Sequence, residues 1–435
     1  MALLNSVLPT RSRSLKVRPV RKSVTKMKIL FLSYYYLPLA GAATWCTFHL
    51  SRELALKGND ICLIVPNVRY RSSFDKRSSL SIERQNPSGV QRTPLFSLPQ
   101  RLAPILSPIF LLAKGLRVRD ADIILCQFHP HHLAMLVGVI LGRVHRLPVV
   151  ARADDVLRDM GNGTGLLVKM LNVLNEHFIG MTDAFLVVCN EQKKILESRI
   201  GPSNKIGVSH NATIKRTGTV DTERAKKALG FDPSQRIILF TGRSSGAEYR
   251  IGVVFRAFAI LQRVFPGALL VLVGDINPKF PREEQSEVLS NVRVFGPTLP
   301  ERFETFLAAA DVCIGPMGPM QTINIKVLEY MACGKPVVTG IRSESQELAV
   351  DGFNCICVVP EPKLVASAIA RILENEEYGI RLGRNAARTA SKFTWDNVAT
   401  ELQNVLVDVL RRKASSQGTN HTMTAVEEAP ETPIN

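Results

Sequence analysis

From Met27 almost to the C-terminus, short runs of consecutive apolar residues alternate with longer segments in which apolar positions recur every three or four residues. Runs rich in Ile, Val and Leu, with no polar face, suit strands buried on both sides of a parallel sheet. In the first half they predict strands over residues 28–33, 61–65, 121–127, 147–151, 183–189 and 206–209. In the second half they predict strands over 236–241, 269–275, 292–296, 336–339 and 355–359, with one more beginning at Asp311. The periodic segments predict helices over 43–57, 133–142, 191–197 and 363–374, two ending near Val264 and Ala310, and others within 380–410. Alternating strands and helices predict doubly wound parallel sheets, and 435 residues exceed what one core organises. The pattern therefore divides into an α/β protein of two Rossmann-like domains, 27–214 and 215–392, followed by a helix at 393–412 that can cross back to the first. Residues 1–26 and 413–435 read as disordered, and 70–100 as a polar loop with a short strand or two. Residues 101–117 form an apolar stripe with basic ends, readable as a buried helix or as a segment lying in a membrane interface.

One stretch, QTINIKVLEYMACGKPVV at 321–338, gathers the chemistry. Thr322 is a candidate N-cap for a helix carrying Ile323, Val327, Leu328 and Met331, and Gly334 ends it before the chain resumes a β-branched run. Lys326 then lies in the first turns, where the helix dipole disfavours a cation by roughly 0.3–1 kcal/mol unless an anion is also present. A bound phosphate would remove that conflict; an ordinary surface pair with Glu329 is the alternative. Other predicted strand ends carry further candidates. Gly41 lets the backbone approach a ligand or makes a plain turn. Arg152, Asp154 and Asp155 stand where an acid can orient a hydroxyl or act as a base, or cap the next helix. Arg243 and Arg250 flank a loop where they can meet anions, or serve as surface guanidinium groups.

Composition narrows the partners. The net charge of +17 is uneven: the first 26 residues carry +7 with no acid, residues 28–205 carry +9, and the remainder +1. A basic face suits an anionic membrane or a phosphorylated substrate, and the lack of basic-aromatic interleaving argues against nucleic acid. No apolar run reaches the roughly 20 residues that span a bilayer. The eight cysteines stand mostly singly in apolar segments, which fits a reducing compartment. His129, His131 and His132 lack the spacing of two ligands on one helical face, so no metal is expected. The basic segment 1–26 resembles an organellar transit segment, yet MKILFLS at Met27 reads as a natural start, which leaves an upstream extension or a misplaced start codon as the alternative.

Together these pieces resemble a known family. Over residues 27–412 the chain is similar to the retaining group 1 glycosyltransferases of the GT-B fold, through MKILFLSYYYLPLAGAAT, PVVARADD, KIGVSHNAT, ILFTGR, FPGALLVLVGD, LAAADVCIGP, KVLEYMACGKPVV and DGFNCICVVPEPKLVASAIARIL. KVLEYMACGKPVV after an AADV strand is the most specific of them. The resemblance implies two Rossmann-like domains facing a cleft and a nucleotide-diphosphate sugar, of UDP or GDP type, as donor. In it Glu329 is the second acid of an E-x7-E motif and holds the nucleotide ribose, Arg243 meets the diphosphate, and backbone groups at Ile323, Asn324 and Ile325 touch the phosphates. Asp155 matches an acid near the sugar and acceptor, and Gly41 and Ala42 match a glycine loop near the diphosphate. The chain departs from the pattern at Gln321, in place of the first acid, at Asp154, in place of a His or Arg, at Ala212 after Asn211, and at the helix-following basic residue, which is displaced or replaced by Arg250.

The expected function is sugar transfer with retention, independent of metal and of any cofactor, with Arg243, Lys326 and Asp155 as catalytic residues. Gly41, Ala42, Gln321, Thr322, Ile323, Asn324, Ile325, Glu329 and Arg250 are the expected donor-binding set. The acceptor is expected to be lipid-linked, phosphorylated or a glycan, in glycolipid or polysaccharide synthesis, with the protein cytoplasmic or peripheral on the inner face of an anionic membrane. An inactive homologue that binds nucleotide or polyanion is the alternative.

Overall fold

The computed structural model describes residues 26–424 apart from 38, 40, 69–81, 99–102, 130–132, 154–165, 217–220, 244–249, 277–289, 319–323 and 342–347. In the first domain the strands are β1 (Lys28–Leu32), β2 (Asp60–Val68), β3 (Val90–Leu98), β4 (Ile123–Phe128), β5 (Val149–Ala153), β6 (Ala184–Val187) and β7 (Ile206–Val208). They form one parallel sheet in the order β3-β2-β1-β4-β5-β6-β7. Its helices are α1 (Ala42–Leu56), α2 (Ala103–Gly115), α3 (Ala134–His145), α4 (Leu166–Gly180) and α5 (Asn190–Ile200). The wholly buried strands β4 and β5 lie between two apolar layers, one built with α1 and the other with α2 and α3. That sandwiching is why the strands carry no polar face.

The second domain repeats the plan. Its strands β8 (Ile237–Arg243), β9 (Leu269–Asp275), β10 (Val292–Phe295), β11 (Val312–Ile314), β12 (Val337–Gly340) and β13 (Ile356–Val358) pair in parallel in the order β10-β9-β8-β11-β12-β13. Its helices are α6 (Thr222–Ala228), α7 (Ile251–Gln262), α8 (Pro300–Ala309), α9 (Ile325–Ala332), α10 (Pro362–Glu374) and α11 (Glu376–Ala390). The charged segment that opens the second domain contains α6, whose Asp221 caps the Arg224 N–H at 2.9 Å. Its Lys226 is buried and pairs with Asp311 at 2.9 Å.

The chain passes between domains twice, and the two passages touch. Thr213 N–H donates to Phe393 C=O at 2.9 Å and Trp395 N–H donates to Thr213 C=O at 3.1 Å, a parallel bridge between Thr213 and Thr394. Beyond it α12 (Trp395–Thr424) packs on α1. Trp395, Val398, Ala399, Leu402, Leu406 and Val409 form a helical stripe buried in the core of the first domain. Each large apolar side chain in that stripe contributes about 1.5–3 kcal/mol by burial. Trp395 stacks on His49 of α1 with ring centroids 5.4 Å apart, and Lys57 pairs with Asp396 at 2.5 Å. The helix continues to Thr424, which corrects the expectation that it ends at 412 and that a disordered tail begins at 413. Helix propagation past the packed stripe fixes one residue per added hydrogen bond and so needs no further burial to continue some distance.

Candidate functional site

Both sheets reverse direction beside their first strand, between β1 and β4 and between β8 and β11. Crevices beyond the carboxyl ends of such strands are where doubly wound sheets take ligands. Gly41 and Ala42 follow β1, Arg243 ends β8, Arg250 opens α7, and α9 follows β11.

On the second domain the β11 end is tightly built. A Cβ on Gly315 would lie 2.7 Å from Thr339 Oγ1, so only glycine passes there. Thr339 Oγ1 and Gly340 N–H both donate to Pro316 C=O at 3.1 Å. The cap of α9 is Asn324, whose Oδ1 accepts from Lys326 N–H at 2.9 Å. This corrects the expected cap at Thr322: either residue type can cap, and Asn324 adopts the extended backbone immediately before the first helical residue. At the other end Gly334 takes φ 67°, Gly334 N–H donates to Met331 C=O at 2.9 Å and Lys335 N–H to Tyr330 C=O at 3.1 Å. That pair of bonds is the left-handed glycine stop read in the sequence.

The buried face of α9 fixes what its other face presents. Tyr330 is fully buried and its hydroxyl meets Thr241 twice, accepting from the backbone N–H at 3.0 Å and sharing a hydrogen bond with Oγ1 at 2.7 Å. Thr241 precedes Arg243 by two residues, so this contact ties α9, near its C-terminal end, to the end of β8. Ile325 packs in the apolar cluster that holds Ala212 and Trp395, placing the first turn of α9 against the first domain. Lys326 and Glu329 remain on the half-buried side.

Among the described residues, no hydrogen bond or ion pair reaches the Glu329 carboxylate, so the predicted surface pair with Lys326 does not form. Burial pushes this carboxyl up from 4.5 to about 7, Arg216 and Lys326 pull it down and Glu304 pushes it further up. A carboxylate without a donor in a partly dry setting is suited to accept hydroxyl groups from a ligand. No spacing or motif singles out Arg216 or Glu304, and only the fold brings them to Glu329.

On the first domain Gly41 is the N-cap of α1 in an extended conformation (φ 164°), with open space where a Cβ would stand. No side chain caps the helix, and the Thr44 hydroxyl is buried without a partner. The turn is held from below: Gln127 Nε2 donates to Ala43 C=O at 3.1 Å, while its Oε1 accepts from Thr47 Oγ1 at 3.0 Å and from Ser33 Oγ. Arg152 is buried rather than poised at the edge, donating to Ser209 C=O at 3.3 Å and His210 C=O at 3.0 Å, which fixes the segment leading into Asn211.

Arg250 is exposed and opens α7 with a left-handed backbone (φ 42°), a conformation costing a non-glycine residue about 1–2 kcal/mol. Asp154, Asp155, Gln321, Thr322 and Ile323, together with the side chain of Arg243, lie outside the described residues. His131 and His132 also lie outside them; His129 packs its ring on Tyr35 at 5.4 Å.

Comparison with known proteins decides the family. Residues 235–375 match the model for glycosyl transferases group 1, and residues 43–213 match that for glycosyltransferase family 4. The chain thus carries a group 1 glycosyltransferase domain behind a glycosyltransferase family 4 domain. It is 24% identical to the D-inositol 3-phosphate glycosyltransferase of Corynebacterium aurimucosum over 88% of this chain and 96% of that protein. It is 23% identical to a GDP-mannose-dependent alpha-(1-6)-phosphatidylinositol dimannoside mannosyltransferase of Mycobacterium tuberculosis, over 86% and 95%. Among solved structures, Anabaena HepE in complex with UDP superposes with a TM-score of 0.68 at 19% identity, covering 88% of this transferase and all of HepE. The two parallel-sheet domains of the transferase thus adopt the GT-B fold.

The raised Glu329 carboxyl has a testable consequence for the free transferase. A carboxyl raised by the fold favours folding while protonated, so its contribution falls as pH rises from 4.5 through 7. Glu329→Gln should match wild type in chemical denaturation at pH 4.5. At pH 8 it should be more stable, on the order of 1–2 kcal/mol after solvent screening. A variant less stable than wild type at pH 8 would contradict this placement of the carboxylate.

Proposed function

We propose that this transferase moves a sugar from a UDP- or GDP-type donor to an acceptor hydroxyl with retention, between its two domains and without a metal. The observation that carries the reading is α9: an Asn324-capped N-terminus with Lys326 in its first turn and the unbonded Glu329 carboxylate one turn on. Ribose hydroxyls would donate to Glu329. The diphosphate would lie by the first turn of α9, offsetting the conflict between Lys326 and the helix dipole. Arg243, at the strand end that Tyr330 ties to α9, would meet the same diphosphate.

In the transfer the anomeric carbon–oxygen bond to the nucleotide breaks, and charge grows on the leaving phosphate. Arg243, Lys326 and the helix N-terminus are fixed positive groups that stabilise that charge. The acceptor oxygen attacks from the face the diphosphate leaves, and its proton passes to the departing phosphate oxygen, so no protein nucleophile is needed. Gly41 and Ala42, open at the uncapped start of α1, would border the diphosphate, and Asp155 would act beside the sugar and acceptor. A lipid-linked, phosphorylated or glycan acceptor, met at an anionic membrane, fits the basic first domain. It also fits the names of the relatives above, one acting on an inositol phosphate and one on a phosphatidylinositol mannoside. Among the described residues no helix is long and apolar enough to cross a membrane.

Three neighbouring helices of the first domain support a peripheral site. Ile109 on α2, Val144 on α3 and Val173 on α4 are 60%, 58% and 67% exposed, with Lys114 on α2 and Arg143 and Arg146 on and beside α3. Apolar and basic groups together suit an anionic lipid surface.

Two assays test the reading. In a panel of UDP- and GDP-sugars with and without membrane extract, wild type should release nucleotide and Arg243→Ala and Glu329→Ala should lose at least about tenfold in kcat/KM. Wild type and Glu329→Ala equally inert while both bind nucleotide would instead favour the inactive homologue, as the amide at Gln321 suggests. In vesicle sedimentation the protein should prefer anionic over neutral lipid, and Val144→Glu with Val173→Glu should reduce binding several-fold. Equal partition to both lipids would count against the membrane surface.

A further inference from the structure

The segment crossing between domains carries a cation that the roles above leave unused. Arg216 Nε and Nη2 donate to the two carboxylate oxygens of Glu304 on α8 at 2.8 and 2.5 Å, and Nη1 donates to Thr213 Oγ1 at 3.0 Å. Thr213 is the residue bridged to the returning chain at Thr394. One guanidinium therefore joins the crossing point to the second domain. A bidentate pair of this kind is directional and fixes both partners.

The same pair borders the donor helix. Glu304 Oε2 lies 4.0 Å from Cys333 Sγ, and Cys333 N–H donates to Glu329 C=O at 3.1 Å. We propose that Arg216 is a positioning residue for the nucleotide: held by Glu304 at the crossing point, it sets the seat of the linker against the end of α9 and with it the placement of Glu329. One ion pair would then couple the domain hinge to the ribose-binding carboxylate. The proposal rests on the reading of Glu329 as the ribose acceptor.

Among the described residues, three charged groups face Glu329. Arg216 comes from the linker, Glu304 from α8 and Lys326 from α9 itself. The neighbouring Cys333 thiol is raised to about 11 by burial and Tyr330 is pushed well above its ordinary value, so both stay neutral near pH 7. His210, with its ring edge-on to Phe393 at 5.2 Å, is a further ionisable group at the crossing and is left in place throughout. Arg216 favours the ionised carboxylate of Glu329, and Glu304 disfavours it. Breaking the pair from either side loosens the same contact but pushes the charge of Glu329 in opposite directions.

That opposition gives the test. Calorimetric affinity for UDP and for GDP is measured from pH 5.5 to 8.5 on the full chain, with thermal unfolding as a check on folding. Wild-type affinity should rise with pH as Glu329 ionises. Arg216→Met should move the midpoint of that rise upward by about one pH unit, and Glu304→Gln should move it downward. Arg216→Lys keeps the charge but not the bidentate pair, so its midpoint should stay closer to wild type than that of Arg216→Met while its affinity falls; if Arg216→Met fails to fold, the downward shift in Glu304→Gln decides the test. Midpoints that move together, or do not move, would overturn the proposal. A flat profile in Glu329→Gln with unmoved Arg216 and Glu304 variants overturns it alone. A Glu329→Gln profile like wild type overturns the reading of Glu329 and this proposal with it.

Discussion

Two backbone hydrogen bonds on Thr213, one received by Phe393 and one given by Trp395, hold together the places where the chain passes between its domains. Each bond is modest in net terms, about 0.5–1.5 kcal/mol. Their setting makes them matter. On one side the linker continues to Arg216 and its bidentate pair with Glu304; on the other the chain enters α12, whose apolar stripe completes the first core. Phe393 also packs with Leu328 of α9 and Leu348. Helix α9 is thus seated on the crossing itself, so its orientation and the geometry of the crossing are one structural problem.

The site illustrates how a local conflict is retained for chemistry. Packing consumes the apolar face of α9 through Ile325, Val327, Leu328, Tyr330 and Met331, and leaves Lys326 against the dipole and Glu329 with no donor among the described residues. Either group alone would be a mild defect. Together, at the carboxyl end of a strand beside the point where the sheet reverses, they would suit the two ends of the proposed nucleotide diphosphate: anionic phosphate for the cation, hydroxyl-bearing ribose for the carboxylate.

Most strands were legible because burial on both faces leaves an unbroken apolar run, and KVLEYMACGKPVV carried the family on its own. What was missed was missed for physical reasons. β3, VQRTPLFSL, is a strand of the kind expected somewhere within 70–100; it could not be placed because it contains proline and polar residues, as the edge of a sheet allows where a ladder donor can be absent. α6 is short and polar, and only its contact with α8 distinguishes it from a linker. α4 has a helical period, but the predicted elements passed over the segment between β5 and β6. Asn324 and Thr322 are both good caps, so composition could not choose between them. Arg216 looked like any basic residue in a charged segment; its meaning comes from a partner 88 positions away.

The claim at the centre of the account is that Glu329 receives the ribose of the donor nucleotide. The most direct test pairs the protein with the ligand in a double-substitution cycle, measuring the affinities of UDP and 2′-deoxy-UDP, and of GDP and 2′-deoxy-GDP, for wild type and Glu329→Ala at pH 8. The nucleotide that the transferase uses should lose about tenfold or more on removal of the hydroxyl in wild type and nearly nothing in Glu329→Ala. Equal losses in both proteins would place the ribose elsewhere and contradict the account.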